Sequence, residues 1–354
     1  MTPAGVLPDQ EWMRAPATRR VVAALAAEGA EVRFVGGCVR DSLAGRPVKD
    51  IDIATHLPPV EVMRLLAAAH LKTVPTGLAH GTVTAIADGR PFEITTLRED
   101  VETFGRHAKV AFTDDWTADA ARRDFTFNAL FCAPDGTLYA PSGGVADLRA
   151  GRVRFVGDAR ARIEEDYLRL LRLFRFQADY GREPLDPAVL AIARELAPRL
   201  AQLSGERVRD ELLKLLAAPD PVPVIEQMIT HAVLSQVIPA TGRVDVLRAV
   251  LRTEAADPPV DPMPRLAALI PPTRAAAGSV AERLRLSRRQ MFALAYLAEP
   301  PEEAAVTEPA HLRRRAARKL GAPLYRQLLR LDWARRHAGE ADAAPDEGLA
   351  AALR

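Results

Sequence analysis

The sequence predicts an α+β protein, a small mixed α/β head followed by an all-helical remainder. Three observations point there. The first 140 residues alternate between strand-like and helix-like segments. From about Ile163 onward the apolar pattern is helical almost throughout. Proline-rich breaks at "APDPVPV", "ADPPVDPMP" and "IPPT" subdivide the helical part. No repeat of fixed period is evident. The expected division is a head over 1–140, a first helical segment over 141–216 and a second over 217–354. With 354 residues, nearly half of them apolar, the chain is long enough for two or three domains with sizeable cores.

The elements of the head follow in order. "ATRRVVAALAAEG" has helical spacing and leads into a strand, "EVRFVGG". A second strand, "VKDIDIAT", precedes the helix "PPVEVMRLLAAAH". "TVTAIAD" and "PFEITTLR", rich in Val, Ile, Thr and Phe, also read as strands. "REDVETFGRHAKVAFTDDWTADAA" is polar and poorly periodic and reads as a surface loop. Further on, Ile163, Tyr167, Leu170, Leu171 and Phe174 form one apolar helical stripe. Asp166, Arg169, Arg172 and Arg175, three apart, make an inclined ridge round the opposite face. Taken alone, this ridge reads as a solvated face whose ion pairs are worth only about 0.2–0.5 kcal/mol each.

Charge and composition exclude several classes. The start, "MTPAGVLPDQEWMR", lacks the charged and apolar regions of a signal peptide, and no window approaches a membrane span. Cys38 and Cys132 are far apart and outside any CxxC, so neither a disulfide framework nor a zinc site is expected. A cytoplasmic protein without membrane partners is the expectation. The formal net charge is +2, but residues 1–150 carry 16 basic against 19 acidic residues. Residues 311–336 carry nine basic and one acidic, a patch that suits a polyanion or a solvated helix face equally.

The chemistry concentrates in "RFVGGCVRDSLAGRPVKDIDIAT". In a strand, Asp50 and Asp52 present two carboxylates on one face, an arrangement that is costly unless a hard divalent cation such as Mg²⁺ neutralises it. Gly36 and Gly37 end a strand and allow the close backbone approach that a phosphate requires. The helix that follows offers its N-terminal N–H groups, and Arg40 would face the same anion. A phosphate turn about a dozen residues before a metal-binding Asp pair implies nucleotidyl transfer. Glu93, in "PFEITTLR", is the candidate third carboxylate, and equally an outward-facing strand residue. No GxSxG, Walker A or HExxH motif occurs.

With "ARRDFTFNAL", "EEDYLRLLRLFRF" and "GERVRDELLKLL" added in order, the chain resembles the class II tRNA nucleotidyltransferases, the bacterial CCA-adding enzymes and their poly(A) polymerase relatives, over roughly residues 25–215. The resemblance implies a polymerase-β-like head, a helical neck that recognises the nucleotide base, and an RNA-binding body and tail. It implies Gly37 and Arg40 at the nucleotide phosphates, with Mg²⁺ on Asp50 and Asp52. It also implies Arg123 at the triphosphate or sugar, Asp124 and Asn128 near the ribose, and Asp166, Arg169, Arg172 and Arg175 toward the base and its phosphates. The polar segment after Arg98 would be a mobile loop that helps switch from C to A addition. His80, in "GLAHGTVT", has a structural hydrogen-bonding role as its commoner meaning. The absence of a His-Asp dipeptide speaks against an appended phosphohydrolase domain.

The implied substrates are CTP, ATP and the 3′ end of tRNA. Cytosine and adenine both present an exocyclic amino donor beside a ring-nitrogen acceptor. A carboxylate at Asp166 and a guanidinium at Arg169 match that pair, whereas uracil and guanine reverse it. A site of buried hydrogen bonds rejects such analogues by about 10⁴-fold. Poly(A) addition, CC-only or A-only addition, and an inactive RNA-binding protein on this fold are the competing readings.

Overall fold

Strand β1 (Pro3–Val6), helices α1 (Glu11–Arg14) and α2 (Pro16–Leu25), strand β2 (Val32–Val35), helix α3 (Gly37–Leu43), strand β3 (Asp52–Thr55) and helix α4 (Pro59–Ala68) open the chain in the computed structural model. Strands β4 (Lys72–Gly77), β5 (Thr82–Ala87) and β6 (Arg90–Thr96) follow, then β7 (Arg98–Phe104) and β8 (His107–Phe112). Helix α5 (Trp116–Ala121), strands β9 (Phe131–Cys132) and β10 (Thr137–Tyr139), and helices α6 (Gly144–Ala150), α7 (Ala159–Glu165) and α8 (Leu168–Tyr180) come next. The structure describes residues 1–104, 107–238, 244–254, 260–301, 310–340, 343–345 and 349.

The chain forms two units, Met1–Arg169 with Tyr180–Leu185, and Leu170–Asp179 with Asp186–Arg354. The first unit holds an eight-stranded sheet in the order β1-β10-β9-β2-β3-β6-β5-β4. Its pairings are antiparallel except β3 with β6, which run parallel with Asp52 opposite Glu93 and Ile53 opposite Ile94. Strand alternation sends Ile53, Ile94, Val83 and Phe92 into the core. There they meet α2 and α4, whose Val21, Leu25, Val62 and Leu66 are buried. Both helices begin with proline in the first turn, where its missing N–H costs nothing. Across the β3–β6–β5 ladder, Glu93 is also the register partner of Thr84.

Two expectations need correction. The segment read as a loop after Arg98 contains β7 and β8, paired antiparallel in a sheet of their own with an irregularity between Asp100 and Glu102. Asp115 caps α5 by accepting from the Thr117 N–H at 2.7 Å. Nor is the region from Ile163 to Phe174 one continuous helix. Asp166 is extended, at φ −154° and ψ 105°, between α7 and α8. Its carboxylate accepts from the Leu168 N–H at 3.2 Å, so it starts α8 instead of continuing α7. Glu164, Glu165 and Asp166 oppose the negative end of α7, whereas an aspartate at the start of a helix is favourable. Leu168, Leu170, Leu171 and Phe174 are buried, while Tyr167 is half-buried.

The second unit is helical: α9 (Pro187–Leu196), α10 (Gly205–Leu216), α11 (Val222–Thr230), α12 (Leu234–Val237), α13 (Val244–Thr253), α14 (Pro262–Ala268), α15 (Arg274–Arg283), α16 (Arg288–Ala298), α17 (Ala310–Leu320) and α18 (Ala322–Arg336). Caps read directly from the sequence, with Asp186, Asp261 and Thr273 each accepting from a backbone N–H of the helix they start. Ser287 and Gln290 form a reciprocal capping box. Among the described residues, no helix is long and apolar enough to cross a membrane.

Candidate active site

Gly36 turns from β2 into α3 at φ 69°, a conformation that disfavours every residue with a Cβ. A Cβ placed there would lie 3.5 Å from Arg123 Nη1 and 3.6 Å from the Asn128 carbonyl oxygen. The turn expected to cradle phosphate therefore lies directly against the "RRDFTFN" segment. Its own backbone contributes less than the sequence suggests. The Gly36 N–H donates to the Leu130 carbonyl at 3.0 Å, and α3 spans only seven residues. The guanidinium groups of Arg123 and Arg40, which lie 3.5 and 3.9 Å from where a Cβ would stand at Gly36 and Gly37, add cationic charge at this turn.

Arg40 is held through all three guanidinium nitrogens. Its Nε and Nη2 donate to the Asp41 carboxylate at 2.9 and 3.1 Å, and Nη1 donates to Asn128 Oδ1 at 2.7 Å. Asn128 Nδ2 in turn donates to Asp124 Oδ1 at 2.9 Å. Asp124 is 9% exposed and Asn128 7%, and this chain of bonds ties both to Arg40. Arg123 donates to Asp119 at 2.9 Å, and the same carboxylate takes Arg122 at 2.8 Å. Burial pushes the Asp119 carboxyl up, but Arg123 and Arg122 outweigh it and leave it below its ordinary value.

Asp52 opens β3, with Asp50 just before the strand and Ile51 buried between them. Glu93 lies beside Asp52 in the parallel ladder. Burial, then Glu93 and Asp50, push the Asp52 carboxyl up to about 6, against the pull of Arg123 and Arg40. A half-buried carboxylate crowded by two others is a place that a cation would relieve. Among the described residues, no three His, Cys, Asp or Glu side chains are grouped so as to hold a metal unaided. Such a set suits Mg²⁺, which takes one or two carboxylates and completes its shell with water and phosphate oxygens. Cys38 packs beneath, its thiol toward the Val35 carbonyl at 3.4 Å, and both cysteines are free and buried.

The remaining predicted positions divide between the two units. In the first unit, Arg169 pairs with Glu165 and donates to the carbonyls of Arg162 at 3.1 Å and Arg122 at 3.4 Å. In the second unit, Arg175 meets the buried Glu211 at 2.7 Å and stacks 4.0 Å over Phe176, with Arg172 reaching Glu211 at 3.6 Å. The His80 backbone carbonyl accepts from Arg98. Sequence reasoning missed Asp41, Asp119 and Tyr180. Asp119 was detectable as a carboxylate four residues before Arg123 on a short helix. Tyr180, whose hydroxyl donates to Asp41 at 2.6 Å from 139 residues away, carried no local signal.

Comparison with known proteins matches residues 32–154 to the poly A polymerase head domain, and 184–243 to the probable RNA and SrmB-binding site of polymerase A. Together these cover just over half of the chain. In these two stretches the chain resembles the poly(A) polymerase and tRNA nucleotidyltransferase family. Within it, the mitochondrial CCA tRNA nucleotidyltransferase 1 of Danio rerio is 42% identical over 265 residues, 73% of this chain and 61% of the relative. The CCA-adding enzyme of Leuconostoc citreum is 39% identical over 209 residues, 58% of this chain and 50% of the relative. The chain thus spans about half the length of the curated relatives it matches. The structure of the Bacillus stearothermophilus CCA-adding enzyme in complex with CTP aligns with a TM-score of 0.71 at 26% identity, covering 96% of this chain and 82% of that one.

Proposed function

We propose that this chain adds the 3′-terminal CCA to tRNA from CTP and ATP, without a nucleic-acid template and with release of pyrophosphate. The observation that carries the reading is Asp52 in register with Glu93 and just after Asp50, with Arg40 and Arg123 acting on the same carboxylate. The names of the family relatives and the CTP complex of one of them support the choice of reaction. In this reading residues 1–140 are the catalytic head, 141–216 the neck that reads the base, and 217–354 an RNA-binding body and tail. Two free, buried thiols accord with work in the reducing cytoplasm.

The tRNA 3′-hydroxyl oxygen attacks the α-phosphorus of the nucleotide, the bond to the bridging α,β-oxygen breaks, and pyrophosphate leaves. Asp50 and Asp52 would hold Mg²⁺, which when bound lowers the pKa of the attacking hydroxyl and draws charge from the triphosphate. Glu93 sets the field at Asp52 and completes the acidic edge. Arg40 and Arg123, anchored by Asp41, Asn128 and Asp119, receive the triphosphate and the departing pyrophosphate at the Gly36–Gly37 turn. Asp124 and Asn128, assigned to the ribose by resemblance, also set the orientation of Arg40. Asp166 and Arg169 would read the base edge.

The test is extension of a tRNA transcript lacking its 3′ CCA, with Mg²⁺ and CTP, ATP or both, resolved at single nucleotides. Growth by three nucleotides that needs both substrates and then stops is the expected result. A long ladder from ATP alone identifies a poly(A) polymerase. A stop after CC, or A added only to a CC end, identifies a split activity. Binding of RNA without extension identifies an inactive RNA-binding protein.

A further inference from the structure

We propose that Tyr180 is a positioning residue that holds Arg40 in its triphosphate-binding orientation through Asp41. This rests on the nucleotidyltransferase reading above and adds to it a residue on the last position of α8. Asp41 is the hub. Its Oδ1 accepts the Tyr180 hydroxyl at 2.6 Å and Arg40 Nε at 2.9 Å, while its Oδ2 accepts Arg40 Nη2 at 3.1 Å. The tyrosine ring lies under the same guanidinium, with Arg40 4.7 Å from its centroid, Arg46 4.2 Å away and the Phe127 ring at 5.8 Å.

A carboxylate on a short surface helix has free rotation about its own side chain, and a two-point hold on arginine needs that rotation stopped. Among the partners of Asp41, the tyrosine supplies a donor from outside α3, reaching across 139 residues of sequence. Asn128 fixes the opposite edge of the guanidinium at 2.7 Å. Arg40 is thereby clamped between the "RRDFTFN" segment on one side and the end of α8 on the other. With Tyr180 in place, the plane of the guanidinium is set before the triphosphate arrives, so less ordering entropy is given up on binding.

The experiment is a double-mutant cycle on the full chain, read by steady-state extension kinetics and by Mg²⁺·CTP binding at equilibrium. Tyr180→Phe keeps the ring and removes only the hydroxyl. It raises KM for both CTP and ATP about tenfold, with kcat and KM for tRNA near wild type. In an Arg40→Gln background the same change adds nothing further, because the residue it acts through is gone. Asp41→Asn, which keeps the side-chain size and weakens both hydrogen bonds, reproduces the KM pattern. A Tyr180→Phe effect that adds in full to Arg40→Gln, or a lowered Tm with unchanged KM, overturns the proposal and leaves Tyr180 a packing residue. A wild-type chain that extends no RNA from any nucleotide instead overturns the functional reading on which the proposal rests.

Discussion

Asp52 shows most directly how a residue's environment sets its task. Its carboxyl, ordinarily near 3.8, is pushed up to about 6 by burial and by Glu93 and Asp50. A carboxyl that holds its proton more tightly when folded stabilises the fold below its unfolded value and loses that contribution as pH rises through about 6. At neutral pH the metal-free protein therefore carries a penalty of about 3 kcal/mol at this residue. Asp52→Asn should raise the Tm of the metal-free protein by several degrees at pH 7 and little at pH 4, while abolishing extension. Mg²⁺ should raise the Tm of the wild type and leave the variant unchanged; equal shifts in both would remove Asp52 from the metal set. Asp166→Ala should admit UTP and GTP by lowering selectivity at least a hundredfold against CTP and ATP. Intact selectivity, measured as ratios of kcat/KM, would refute base reading by this carboxylate. The Asp pair, Gly36 and Arg40 were legible because their types and spacing are local, whereas Arg123 entered only through the resemblance. Glu93 was already the candidate third carboxylate, but the partners that aim the arginines were not legible, since Asp41 meets Tyr180 only across the fold.

Sequence periodicity located β2, β3, β5 and β6 and the helical character of the second unit, but it missed β1, β4, β9 and β10 and misjudged where elements stop. The ridge from Asp166 to Arg175 looked continuous because its three-residue spacing is indifferent to a break. The end of α7 is decided by acids facing the wrong helix pole, a balance of about 1 kcal/mol that apolar spacing does not register. The β7–β8 hairpin escaped because its polar residues lack alternation, and its backbone pairing supplies the order instead. In the second unit, Arg265 completes the end of α10. It is 2% exposed, donates to the carbonyls of Leu216 at 2.6 Å and Ala218 at 2.5 Å, and pairs with Glu254 at 3.0 Å. Removing it leaves helix-end carbonyls and a carboxylate without their cation. Arg265→Leu should cost about 3–5 kcal/mol in the unfolding transition of that unit, followed by urea denaturation. A change below about 1 kcal/mol would show that water replaces it.

Across the molecule as a whole, the near-neutral total conceals where the positive charge lies. On α17, Arg314, Arg315, Arg318 and Lys319 are exposed while Ala316 and Leu320 are buried. Among the described residues none of the four has an ion-pair partner, and α17 contains no acid. Like charges three and four apart weaken an isolated helix by about 0.2–0.5 kcal/mol per pair, a cost that a polyanion would offset. On α18 the pattern differs, with Trp333 and Leu329 in the core and burial holding Arg335 below its ordinary pKa. Replacing the four α17 cations by glutamine should flatten the dependence of log K on log[salt] for tRNA binding, by up to about 0.9 for each phosphate no longer neutralised. An unchanged slope would make this run a solvated face.

The α+β class, the glycine turn, the paired aspartates and Arg40 beside the turn were all written in the order of residues. Those features depend on residue type and on separations of a few positions, which the chain carries locally. Folding in three dimensions was needed to make β3 and β6 run parallel with Asp52 against Glu93, to bring Asn128 and Asp124 behind Arg40, and to close Tyr180 on Asp41. Parallel pairing and side-chain meetings over such separations arise when distant segments share one core, and no local pattern records which of them will come together.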